Sequence, residues 1–167
     1  PRTANPALAI SEADLASALA QIGTEVDDQP LRSSALARIM RETFHGSDAG
    51  GAWDWRMAYD MMQAAAIQVL LRGAGATADI ANAKLLASRL LTETRRSEQQ
   101  IRLQQFSTPL PFAALVLRAA AIRKGETVLE PSAGTGALAA FAARAGATLL
   151  LNEIDPFRQR LLRAVFG

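Results

Sequence analysis

Apolar positions recur at three- and four-residue spacings through the first hundred residues, then give way to short apolar runs broken by glycines. The first pattern predicts helices. Ser11 can cap a first helix ahead of Leu15, with Glu12 and Asp14 favouring the positive end of its dipole, and Gly23 is expected to end it. After the acidic stretch Thr24 to Gln29, Pro30 opens a second helix. Its buried stripe is Leu31, Leu36, Ile39, Met40 and Phe44, and His45-Gly46 closes it. A third helix follows Trp53-Asp54-Trp55 and runs to about Leu71, with Met57, Met61, Ile67, Leu70 and Leu71 set among alanines, the composition of a tightly packed interior. Gly73 and Gly75 then break the chain. A long helix is predicted from Ala78 to about Gln104, capped by Thr77, with Ile80, Leu85, Leu86, Leu90, Leu91 and Ile101 as one apolar edge.

Beyond Phe106 the pattern changes. A helix is predicted over 112–122, ending at Lys124-Gly125, then a strand over 127–129, a helix over 137–145, a strand over 147–151 and a last helix after Pro156. Strand, helix and parallel strand in that order form a βαβ unit that binds ligands at the carboxyl ends of its strands. The fold class expected is α/β with a large all-α N-terminal part, divided into a helical region over 1–104 and an α/β region over 105–167.

Half of the 167 residues are hydrophobic and a fifth charged, enough for an ordinary core. With no cysteine, disulfides and thiolate metal sites are excluded, and a lone His45 excludes a histidine-rich one. That histidine reads as a favourable charge at a helix end. No apolar run approaches the ~20 residues that span a bilayer, and no signal peptide is evident, so a soluble cytoplasmic protein is expected. Charge is unevenly spread. From Ser11 to Asp60 there are nine acids and four bases, whereas Lys84 to Lys124 holds eight bases and two acids. Arg89, Arg95, Arg96 and Arg102 could therefore offer a basic face to a polyanion such as DNA, or could simply be a solvated helical face. Trp53 and Trp55 read as core anchors in preference to base-stacking platforms.

The stretch with most chemical content is Val128-Leu129-Glu130-Pro131-Ser132-Ala133-Gly134-Thr135-Gly136, a strand turning through glycines into a helix. Gly134 and Gly136 permit positive φ and close approach of a ligand, and the helix that follows offers unpaired N–H groups. Two readings of it compete. Gly134 to Ala139 satisfies G-x-G-x-x-A, the nicotinamide-dinucleotide fingerprint, with Glu153 near the distance of its ribose-binding acid. The flanks favour the other. Glu130-Pro131-Ser132-Ala133 resembles motif I of class I methyltransferases that use S-adenosylmethionine, especially the amino-methylating DNA enzymes. Gln105-Phe106-Ser107-Thr108-Pro109 resembles their motif X, and Asn152-Glu153-Ile154-Asp155-Pro156 their motif II. The combination also resembles the methyltransferase segment of proteins that carry a strawberry-notch-like helicase region.

The resemblance implies a truncated Rossmann-like fold, limited to its first βαβ unit, and a set of roles. Pro131, Ser132, Ala133, Gly134 and Gly136 would cradle the methionine end of S-adenosylmethionine, with Glu130 at its amino group and Thr108 near its carboxylate. Glu153 would hold the ribose hydroxyls, and Ile154 would lie against the adenine. Such enzymes also need a later Asn/Asp-Pro-Pro-Tyr/Phe loop to hold the flipped base, and no such sequence occurs here. No catalytic residue is therefore assigned. The chain is expected to be a cofactor-binding piece of a longer DNA methyltransferase, inactive alone, whose bare sheet edge invites a homodimer. A nicotinamide-dependent oxidoreductase and a non-enzymatic, nucleic-acid- or partner-binding helical module remain open alternatives.

Overall fold

The computed structural model describes residues 10–73, 79–93 and 107–167. Helix α1 (Glu12–Asp28) starts where its sequence says it should: the Ser11 hydroxyl accepts the Asp14 N–H at 3.0 Å. It buries Leu15, Ala18, Leu19, Ile22 and Val26, three or four residues apart along one stripe except for the adjacent Ala18 and Leu19. It does not stop at Gly23. That glycine is buried, and a Cβ there would sit 3.5 Å from the Val69 side chain, so the residue marks a close helix crossing inside a continuous helix.

Helix α2 (Ser33–Thr43) buries Leu36, Ile39 and Met40 and begins three residues after Pro30. The reason is tertiary. The Leu31 N–H donates to the Arg89 carbonyl at 2.8 Å, and Arg32 stays extended as the N-cap. Helix α3 (Trp55–Arg72) is capped by Asp54, which accepts the Met57 N–H at 2.8 Å, and it is buried on most sides. Its alanines Ala58, Ala64, Ala65 and Ala66 let neighbouring helices approach closely, and Met57, Met61, Met62, Ile67 and Leu70 fill the remaining space. Trp53 is buried with its indole N–H on the Gly46 carbonyl, a core anchor as read from the sequence.

Helix α4 (Ile80–Arg89), capped by Asp79 on the Ala81 and Asn82 N–H groups, is much shorter than the helix expected over 78–104. It ends because tertiary bonds compete for its last groups. The Arg89 carbonyl is taken by Leu31, Leu90 turns extended, and the Leu91 N–H points at the Met62 sulfur at 3.3 Å. Residues 90–93 of that expected helix are not helical, and its residues 94–104, with the division placed between 104 and 105, lie within the undescribed residues 94–106.

The α/β pattern follows as expected. Helix α5 (Leu110–Ala120) leads to strand β1 (Thr127–Glu130), helix α6 (Ala137–Arg144), strand β2 (Thr148–Leu151) and helix α7 (Pro156–Phe166). The strands pair in parallel, with Thr127 opposite Thr148 and Glu130 opposite Leu151. The described residues thus form a mostly helical α/β structure with seven helices and one two-stranded sheet. On one side of the sheet Leu129 and Leu150 stand side by side, both exposed.

One core runs through both halves, from Leu15 and Leu36 through Met61 and Ile67 to Phe141, Phe157 and Leu161. Helix carboxyl ends are closed by side chains from afar. Arg89 donates to the Val26 and Asp27 carbonyls of α1, Arg144 to the Leu70 and Gly73 carbonyls at the end of α3, and Gln68 to Ala164 of α7. No helix among the described residues is long and apolar enough to cross a membrane.

Candidate functional site

The turn between β1 and α6 is held by several hydrogen bonds. Its backbone is sewn to the end of β2: the Ala133 N–H donates to the Asn152 carbonyl at 2.8 Å, the Asn152 N–H to the Glu130 carbonyl at 2.9 Å, and the Asn152 side-chain amide to the Pro131 carbonyl at 2.9 Å. The Gly136 N–H closes on the Ala133 carbonyl at 2.8 Å. Gly134 and Gly136 both take positive φ, 58° and 94°, which explains why both are glycine. The second has a further reason. A Cβ on Gly136 would stand 2.5 Å from the Phe166 ring, so the space a ligand was expected to use there is filled by α7.

Glu153 reaches back from the end of β2 into this turn. Its Oε2 accepts the Gly134 N–H at 2.7 Å and its Oε1 the Asp155 N–H at 2.8 Å. The turn therefore does not present a row of unpaired N–H groups, because those of Ala133, Gly134 and Gly136 are bonded within the chain. Glu153 keeps lone pairs for a further donor, since each carboxylate oxygen can accept two bonds.

Glu130, at the carboxyl end of β1, is differently placed. The Ala139 N–H in the first turn of α6 donates to its carboxylate, so it caps that helix, while its Oε2 is buried and has no hydrogen-bond partner. Burial pushes its pKa up to about 7 against the single bond from Ala139. A buried, unpartnered carboxylate oxygen costs stability. It is the natural acceptor for a cation or a protonated amine.

Thr135 is buried, and its hydroxyl donates to the Gln63 side chain at 3.0 Å; Gln63 in turn donates to Glu93. Beside this chain lies a cavity of about 210 Å³, lined by Met62, Ile67 and Leu91 and by the polar Gln63, Ser107, Thr108 and Thr135. The Ser107 hydroxyl is buried without a partner. The cavity places Thr108 near Thr135 of the turn, whereas Glu130, Gly134, Glu153 and Ile154 are not among its lining residues. Ile154 stands exposed next to Glu153. No family model, curated protein or solved structure matches the chain.

The expected basic face fares differently. Arg89 is spent on the carboxyl end of α1, and Arg95, Arg96 and Arg102 lie outside the described residues. Sequence reasoning also missed a buried charge cluster behind the turn. Arg158 donates twice to Asp60 Oδ1, from Nε at 3.0 Å and Nη2 at 2.7 Å, and Arg56 donates to Asp155 Oδ2 at 2.9 Å. Asp155 also caps α7 by accepting the Phe157 and Arg158 N–H groups. Burial raises Asp60 to about 6 in spite of the two arginines. The sequence signal for this cluster was an Arg56/Asp60 spacing of one helical turn on a largely apolar helix.

Proposed function

We propose that the β1–α6 turn binds S-adenosylmethionine, as the opening βαβ unit of a Rossmann-like class I methyltransferase domain that methylates amino groups in DNA. The observation that carries the reading is Glu130: a carboxylate at a strand's carboxyl end, beside a double-glycine turn, with one buried oxygen lacking a partner. The cofactor's protonated amino group fits that oxygen in charge and in hydrogen bonding. Thr108, which lines the same cavity as Thr135, would meet its carboxylate. Glu153 would accept the ribose hydroxyls on its remaining lone pairs, and exposed Ile154 would cover the adenine. Pro131, Ser132, Ala133 and Gly134 would supply shape, since three of the turn's amides are already bonded and Phe166 fills the space at Gly136.

Bound there, the cofactor supplies a sulfonium methyl group for transfer. This chain's residues hold and orient it, and the base-binding Asn/Asp-Pro-Pro-Tyr/Phe loop would come from elsewhere in the parent protein. DNA would then be the partner of that parent, in the cytoplasm, with the bare sheet edge filled by further strands or by a second copy of the chain.

Calorimetric titration of the chain, and of a version lengthened past Gly167, with S-adenosylmethionine and separately with NAD tests the reading. Saturable binding of the first is expected, weakened at least tenfold by Glu130→Ala. Because a bound ammonium favours the ionised form of Glu130, binding should release a proton and be tighter at pH 8 than at pH 6. Binding of NAD alone would transfer the site to the oxidoreductase reading. Binding of neither by the lengthened chain would end both.

A further inference from the structure

Arg158 lies where three features meet. Its guanidinium is buried on α7, it is bonded twice to Asp60 of α3, and its Nη1 is the atom nearest the position a Cβ on Gly134 would take, at 3.8 Å. Glu153, whose carboxylate holds the Gly134 N–H at 2.7 Å, lies close enough to strengthen the positive charge of Arg158, as do Asp60 and Asp155. Two carboxylates, Asp60 from the helical half and Glu153 from the end of β2, thus compete for one buried cation. Only Asp60 is hydrogen-bonded to it. That leaves Glu153 to hold the turn.

We propose that Arg158 is a positioning residue for the glycine turn: pinned by Asp60, it lies behind Gly134 and leaves Glu153 directed at the Gly134 N–H, so that α3 sets the shape of the candidate site. The physical argument is one of alternative acceptors. A guanidinium that loses its charged partner in a buried place takes the next carboxylate within reach, since leaving it unpaired costs far more than a local rearrangement. Here that carboxylate is Glu153, and its departure frees the Gly134 N–H. The groups facing Asp60 are Arg56 on its own helix, in an ion pair of 3.5 Å with an Oδ2 that accepts no hydrogen bond, Arg158 on α7, and Asp155 at the start of α7. Arg56 is held by Asp155 and so does not replace Asp60 as the partner of Arg158.

The coupling itself does not depend on what the turn binds; only its effect on cofactor affinity rests on the function proposed above. Nuclear magnetic resonance of the unaltered chain tests it without a ligand. The Asp60 carboxyl carbon and the Gly134 amide are followed from pH 4.5 to 8, with a parallel series in Glu130→Gln to remove that group's own titration. The Gly134 amide is expected to shift with the Asp60 midpoint, near 6. A Gly134 signal that stays flat while Asp60 titrates, wherever that midpoint falls, overturns the proposal.

Substitution gives an independent reading. In Asp60→Asn, which frees Arg158, the Gly134 amide should exchange with solvent at least tenfold faster than in the parent, while Leu19 in α1 keeps its protection. Adding Arg158→Met, which removes the displaced cation, should restore slow exchange. Equal Gly134 exchange in the single and double variants would overturn the proposal, and the titration of the unaltered chain decides if neither variant folds. Loss of S-adenosylmethionine binding with an intact Gly134 coupling would count against the proposed function alone.

Discussion

A methyl group added to Gly136 would meet the Phe166 ring on a backbone already at φ 94°. Strain and overpacking together should make Gly136→Ala destabilising by about 2–4 kcal/mol, read as a shift in the urea unfolding midpoint. Gly136→Ala with Phe166→Leu should recover the part due to contact and leave the part due to φ. Glu130 gives a second expectation at this scale. Its pKa rises from 4.5 to about 7 on folding, so the folded chain binds the proton more tightly, and stability is lost as pH rises through that window. Because the residue is only partly buried, screening reduces the effect. Glu130→Gln should gain about 1–2 kcal/mol relative to the parent between pH 5 and pH 8 in paired denaturant curves. Residues of the turn were legible because φ-permissive glycines after a strand have few uses. Arg158 was not, because its partner lies 98 residues away and neither residue has a motif to announce it.

At the scale of elements, the start of α1 and the ends of α3 and α6 were readable from the sequence, while the start of α2 and the ends of α1 and α4 were not. Ser11, Asp54, Asp79 and Asp155 each accept backbone N–H groups from their own helix, a local relation that sequence displays. The ends of α1 and α4 are set by distant groups. Gly23 sits mid-helix because Val69 packs against it, and α4 stops at Arg89 because Leu31 takes its carbonyl. The arginine expected on a DNA-facing surface closes α1 for the same reason. Arg89→Met should therefore destabilise the chain by about 1–2 kcal/mol and leave any DNA affinity of the parent unchanged. Unfolding midpoints together with amide exchange at Val26 and Asp27 would check the first claim, and salt-dependent DNA titration the second. A tenfold loss of DNA binding would restore Arg89 to the basic face.

For the molecule as a whole, the α/β alternation after Phe106 was plain from apolar run lengths, but the way it seats on the helices was not. Apolar periodicity tells which side of a helix is buried and is silent on what covers it, and α3, apolar almost all round, offers no single answer. The structure answers with α1 on one side and α6 and α7 on another, joined by the buried cluster of Arg56, Asp60, Asp155 and Arg158. Asp60, like Glu130, has a raised pKa, so its share of stability is present at low pH and lost as pH rises toward 6. Removing one partner strands a buried charge: Asp60→Ala should cost about 3–5 kcal/mol by denaturant unfolding at pH 7, more than a surface ion pair could account for. The encirclement of α3 also bears on synthesis. This helix leaves the ribosome some eighty residues before α7, and until then Arg56 and Asp60 have no Asp155 or Arg158 to meet. A nascent chain halted at Leu151 should be bound by chaperones that one extended through Gly167 escapes.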